Sequence, residues 1–149
     1  MKNRDVVSTV EKVLFLKSID LFREIPGEDL ARVAQIAEEV ELAPGEVLLH
    51  QDEIGDSMYL IIEGRVQVLR DERVIAELTE RECVGEMAML DSEPRSATVK
   101  AMPATRLLKV EREDLYELMS EKMPITHGII KVLTRRLRQT LAQTPDASR

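Results

Sequence analysis

The sequence predicts a mainly β domain, a sandwich or barrel of short strands with helices at both ends. Three observations carry this. From Glu41 to Val110 the apolar residues change from helical spacing to a period of about two, as half-buried strands require. The pairs Pro44-Gly45, Glu63-Gly64 and Asp71-Glu72 cut that region into short pieces at turns. On either side, apolar residues recur three and four apart, the pattern of helices packed by one face.

The elements follow in order. Ser8 and Glu11 have the spacing of a capping box, so a helix starts there and runs on through Val10, Val13, Leu14 and Lys17. Leu21 and Phe22 read as an apolar plug. A second helix is expected over 28–39 after Pro26-Gly27, with Leu30, Val33, Ile36, Ala37 and Val40 on its apolar side, which draws the helical segment over 1–40. Strands are expected over 47–50, 58–62, 65–70, 74–78, 96–102 and 105–110, with a loop around Gly55. Alternation fails at Leu69 and Arg70, which predicts a twist or bulge there. A helix is expected over 113–121, with Leu115, Leu118 and Met119 on one side. Pro124 suits the first position of a final helix. In it Ile130, Leu133, Leu137 and Thr140 approximate a coiled-coil seam. Residues 143–149 read as a frayed tail. The whole is one domain over 20–142, with its strands inside 41–111.

Composition narrows the function. At 149 residues, with 44% hydrophobic and 33% charged residues, the chain reads as a soluble domain with a real core. Aromatic residues are 3%, which argues against base stacking of the single-strand binders. The net charge of −7 divides into +4 over 124–149 and −11 over the rest. An acidic body does not attract polyanions broadly, so no direct DNA binding is expected, and no helix-turn-helix is read after the basic run Arg135, Arg136, Arg138. Cys83 is a single cysteine, which points to a reducing, cytoplasmic setting. No apolar run approaches a membrane span, and no signal-peptide core follows the N-terminus. Cys83, His50 and His127 lack metal-ligand spacing, and no nucleophile, base and orienter stand together, so neither a metal nor a catalytic residue is expected.

The densest chemistry lies in 84–98, Val-Gly-Glu-Met-Ala-Met-Leu-Asp-Ser-Glu-Pro-Arg-Ser-Ala-Thr. Gly85 lets another group approach its backbone closely. Residues 86–90 read as one helical turn whose free N–H groups suit an anion. Arg95, held by Pro94, offers a planar fork of donors that matches a pair of phosphate oxygens. Glu86 does not share the phosphate, because like charges repel, and is left to accept from a sugar hydroxyl. Ser96, Ala97 and Thr98 are small and leave room. On its own Arg95 reads as a surface ion-pair residue and Glu86 as a solvated one. Together at this spacing they suggest a small phosphorylated sugar such as a nucleotide.

This stretch closely resembles the phosphate-binding cassette of cyclic nucleotide-binding domains, the family of catabolite activator protein and of the regulatory subunits of cyclic-AMP-dependent protein kinase. The matching residues are Gly85, Glu86, Met87, Ala88, Met89, Pro94, Arg95, Ser96, Ala97 and Thr98, with Val84 in place of the usual Phe. Pro44-Gly45-Glu46-Val47 and Tyr59 to Gly64 fit the family's first half, and the likeness runs over about 20–140. Two turns depart from it: Asp52 stands where the family often has Gly, and Arg81-Glu82 where it has Gly-Asp. The resemblance implies an eight-stranded jelly roll, or double-stranded β-helix, with N-terminal helices and a C-terminal helical lid. It puts Arg95 on a cyclic phosphate with the N–H of Ala88 and the N–H or hydroxyl of Ser96, and Glu86 on the ribose 2′-hydroxyl. It sets Gly85, Met87 and Ala97 in the same site, and Arg136 and Thr140 near the purine, Thr140 being the better adenine contact. It implies a regulatory sensor with no cofactor, with cyclic AMP the favoured ligand and cyclic GMP the alternative, since Ser96 does not decide between them. Partners are a second copy through the last helix or a separate effector protein. The rival expectations are a sensor of the same fold for another effector, or an interaction module with a relic pocket.

Overall fold

The computed structural model describes residues 8–143; the expected tail from Thr144 onward lies outside the described residues. The capping box forms as spaced: Ser8 Oγ accepts from the Glu11 amide and Glu11 Oε1 from the Ser8 amide. This opens α1, Thr9–Lys17. A 3-10 turn, Asp20–Phe22, follows and buries Leu21 and Phe22 completely, the expected plug. Helix α2 is Gly27–Ile36.

The expected second helix is too long. The segment 37–40 leaves it, and Glu38–Leu42 is strand β1. Val40 fits a helical period from Leu30, but it pairs with Leu107 of β8 (Thr105–Glu111), and that ladder decides the conformation. Strand pairing also extends the β region to residue 38, so the helical segment ends before 40.

The other strands are β2 Val47–Leu49, β3 Ser57–Glu63, β4 Val66–Arg70, β5 Arg73–Leu78, β6 Cys83–Val84 and β7 Thr98–Ala101. They form two antiparallel four-stranded sheets, β1-β8-β3-β6 and β2-β7-β4-β5. With flanking helices this is the jelly-roll architecture. The β4–β5 register shifts between Val68 and Leu69, where alternation had failed. Between β6 and β7 sits α3, Glu86–Asp91; after β8 come α4, Arg112–Glu121, and α5, Met123–Ala142, with Pro124 in its first turn.

Strands β3 and β8 are buried on both faces. Ile61 and Leu107, directly paired, face the roll interior with Leu42, Val66, Val84 and Val99. Their neighbours Leu60 and Leu108 face outward and are covered by Leu16, Phe22, Leu30, Leu115, Ile125 and Ile129 from the helices. The N- and C-terminal helices therefore share one apolar core on the outer face of one sheet, and Met89 of α3 is buried in it. Helix α5 crosses the segment after the 3-10 turn closely: a Cβ on Gly128 would lie 2.9 Å from Ile25 and 3.1 Å from the Glu24 backbone. Among the described residues no helix is long and apolar enough to cross a membrane.

Candidate functional site

The site is built on the β6–α3 turn. Gly85 is left-handed (φ 82°) and caps α3, and Ser92 ends it in the same conformation (φ 63°). Between them Ala88 and Met89 are buried against the roll, while Met87 points outward, 72% exposed. The end of α3 is held by α4. Arg112 donates through Nε to the Met89 carbonyl (2.7 Å) and through Nη2 to those of Ala88 (3.0 Å) and Gly55 (3.3 Å). Tyr116 Oη donates to the Leu90 carbonyl at 2.6 Å.

Arg95 lies beneath this turn and is 5% exposed. Its main chain is locked to the 52–57 loop, where the Arg95 amide donates to the Glu53 carbonyl and the Asp52 amide to the Arg95 carbonyl, both at 2.8 Å. Its guanidinium donates from Nη2 to the Ser57 carbonyl (2.8 Å) and from Nη1 to the Gly85 carbonyl (3.3 Å). Two glycines make the space. A Cβ on Gly55 would come within 2.4 Å of Nε and Nη2, and one on Gly85 within 2.5 Å of Nη1. Burial pushes the Arg95 pKa down, opposed in part by Tyr59 and Asp56. Among the described residues no carboxylate pairs with it. A buried cation with no carboxylate partner among the described residues is an anion site in waiting.

Gly85, Glu86, Met87, Ala88, Arg95, Ser96 and Ala97 line one cavity of about 280 Å³, whose apolar floor includes Leu49, Val68 and Val99. Ser96 is exposed at its rim, its carbonyl accepting from Arg70 Nε at 3.2 Å. Glu86 occupies the other end. Its Oε2 accepts from Arg136 Nη1 at 3.1 Å. Arg136 reaches at the same time to Asp20 Oδ2, from Nη2 at 3.0 Å and Nε at 3.1 Å. An adjoining hollow of about 240 Å³ lies between Asp20, Arg81 and Arg136 and shares Leu78, Cys83 and Glu86 with the main cavity. The Cys83 thiol is pushed well up by burial and by Glu86.

The structure thus brings the seven cassette residues together; of the two α5 residues, Arg136 reaches them through Glu86 and Thr140 does not line the cavity. Arg136 borders the second hollow, not the first. Thr140 stands one turn further along α5, its Oγ1 donating to the Arg136 carbonyl at 3.1 Å, and it lines neither cavity. Gly55, Asp20, Arg112 and Tyr116 are missing from the expected set. Gly55 was visible only as a loop glycine, and the other three act across long sequence distances that no local pattern records. The two departures from the family's glycines, Asp52 (φ 72°) and Arg81 (φ 73°), both adopt the left-handed conformation that glycine would take.

Residues 39–122 match the model of the cyclic nucleotide-binding domain. The chain belongs to that family. It is 30% identical over 129 residues to the cyclic AMP receptor protein of Thermus thermophilus, covering 83% of this chain and 60% of the relative. It is 31% identical over 107 residues to the cAMP-dependent protein kinase regulatory subunit of Dictyostelium discoideum, covering 66% of this chain and 33% of that one. The chain therefore spans less than two thirds of the length of these relatives. The N-terminal domain of a transcriptional regulator from Streptomyces coelicolor superposes with a TM-score of 0.81 at 29% identity, over 90% of this chain and 96% of that domain.

Proposed function

We propose that this chain is a non-catalytic sensor that binds cyclic AMP, with cyclic GMP as the alternative, and signals through its C-terminal helices. One observation carries the reading: Arg95 is a buried guanidinium that donates to main-chain carbonyls and has no carboxylate partner among the described residues, at the wall of a cavity of about 280 Å³. A cyclic phosphate supplies the missing negative charge. The amide of Ala88 and the amide or hydroxyl of Ser96 add donors on the same wall. Glu86, across the cavity, takes the ribose 2′-hydroxyl, and the base lies toward α5. Thr140 contacts the base in this reading once the end of α5 beyond Arg136 leans over the cavity; Arg136, engaged by two carboxylates, is the weaker base contact of the two. Cyclic AMP is preferred because the similar proteins from Thermus and Dictyostelium carry it in their names.

The output follows from the connections of α3. Arg112 and Tyr116 tie its carbonyls to α4, and α4 leads directly into α5. A ligand that binds one arrangement of these helices more tightly shifts the population toward it. The outer side of α5 exposes Ile130, Leu133, Leu137 and Leu141, a stripe available to a second copy or a separate effector. A thermal-shift titration tests the binding. Nucleotide at about 100 times its dissociation constant adds about 2.7 kcal/mol, a rise on the order of 5 °C for a domain of this size. No rise with either cyclic nucleotide points to a different effector or to a relic pocket.

A further inference from the structure

Glu86 and Arg95 sit in one cavity but are held by different means. The main chain fixes Arg95, whereas Glu86 is held by a side chain from the far end of the sequence. That side chain, Arg136, spends its three nitrogens on two carboxylates. Nε and Nη2 both go to Asp20 Oδ2, at 3.1 and 3.0 Å, which leaves Nη1 for Glu86 Oε2 at 3.1 Å. Asp20 is a firm point. It opens the 3-10 turn, whose neighbours Ile19, Leu21, Phe22 and Ile25 are all buried in the helical core. Helix α5 is docked along this segment twice more, by the close approach of Gly128 to Glu24 and Ile25 and by Arg135 Nη2 on Glu24 Oε2 at 2.8 Å.

We propose that Asp20 and Arg136 are positioning residues of the site: Asp20 anchors Arg136, and Arg136 aims the Glu86 carboxylate so that its other oxygen receives the ligand's 2′-hydroxyl. The inference rests on the cyclic nucleotide reading and deepens it. Only an arginine fits this role, because a lysine ammonium has no planar fork to span two carboxylates. Glu86 forms part of both the main cavity and the adjoining hollow, so Arg136 holds it from the side opposite the ligand. The aim of Glu86 then depends on α5 remaining docked on the Asp20 segment. By reciprocity, a ligand that needs Glu86 in this orientation favours the docked helix.

The test is calorimetric titration of the unaltered chain, Arg136→Ala, Arg136→Lys and Asp20→Asn with cyclic AMP, cyclic GMP and 2′-deoxy cyclic AMP. An ion pair of this exposure corresponds to about two- to fivefold in affinity. Arg136→Ala is expected to weaken both cyclic nucleotides by that factor and to leave 2′-deoxy cyclic AMP unchanged. Asp20→Asn is expected to move the same way, and Arg136→Lys is expected not to restore binding. A general loss of fold would weaken all three ligands alike. Arg136→Ala that weakens 2′-deoxy cyclic AMP as much as cyclic AMP, that affects one base only, or that tightens binding overturns the inference, as does an Asp20→Asn variant that binds like the unaltered chain. No binding of any nucleotide by the unaltered chain overturns the cyclic nucleotide reading and this inference with it; the other outcomes overturn the inference alone.

Discussion

The two ends of the cavity are made of different materials. At one end Arg95 is buried, with its amide, carbonyl and guanidinium all fixed to backbone groups of β3, the 52–57 loop and Gly85. At the other, Glu86 is set by a chain of side chains, Arg136 and Asp20, the latter half exposed, from helices at opposite ends of the sequence. The first end is held by main-chain groups next to it and has no contact with α5 among its hydrogen bonds. The second changes whenever α5 moves. A sensor needs both: one contact that holds the ligand in every state, and one whose strength differs between states.

The contrast is open to attack at several points. The largest effect is expected at the rigid end. Arg95→Ala removes charge-assisted hydrogen bonds of about 1.5–3 kcal/mol each, so cyclic nucleotide affinity falls by about 10- to 150-fold with an unchanged circular dichroism spectrum; titration that shows equal affinity removes Arg95 from the site. Next comes Gly55→Ala. Its backbone is not left-handed, and the new methyl meets the far end of Arg95 at 2.4 Å, so the guanidinium gives way before the fold does. Affinity is expected to fall about tenfold, a shift of about 1.4 kcal/mol, while the melting temperature stays nearly constant. At the changeable end, Cys83 beside Glu86 keeps its proton because burial and that carboxylate oppose the thiolate. Its alkylation by iodoacetamide at pH 8 is expected to run at least about tenfold slower than that of a free thiol and to speed up as the pH rises beyond the ordinary thiol range. The smallest effect lies on the rim. Arg81→Gly relieves a left-handed residue (φ 73°) and is expected to stabilise the domain by about 0.5 kcal/mol, seen as a melting temperature higher by about 1–2 °C.

What could be read in advance depended on how far apart the interacting residues lie in the sequence. The rigid end sits mainly within 84–98, a contiguous string with fixed spacing, and the sequence names its residues well. The capping box at Ser8 and the bulge beside Leu69 are equally local and equally legible. The boundary near Ala37 was not, because Val40 satisfies a helical period and only its pairing with Leu107, 67 residues away, makes it a strand. Strand β6 has two residues, too few to show a period. Arg136 was placed near the site by family likeness, but its contact with Asp20 spans 116 residues and leaves no periodic trace. Gly55 marks a loop in the sequence; that it clears room for Arg95 follows only from the fold.

The shell around Arg95 has a consequence for how such a chain can diverge. Its acceptors are the carbonyls of Ser57 and Gly85, and its main-chain partners are at Asp52 and Glu53. Every residue carries a carbonyl and nearly every one an amide, so replacing those side chains leaves the socket standing. Only the two glycines that clear its volume, Gly55 and Gly85, and the arginine itself are exposed to loss by a single codon change. Most of the surrounding sequence is thereby free to drift while the anion receptor stays in place.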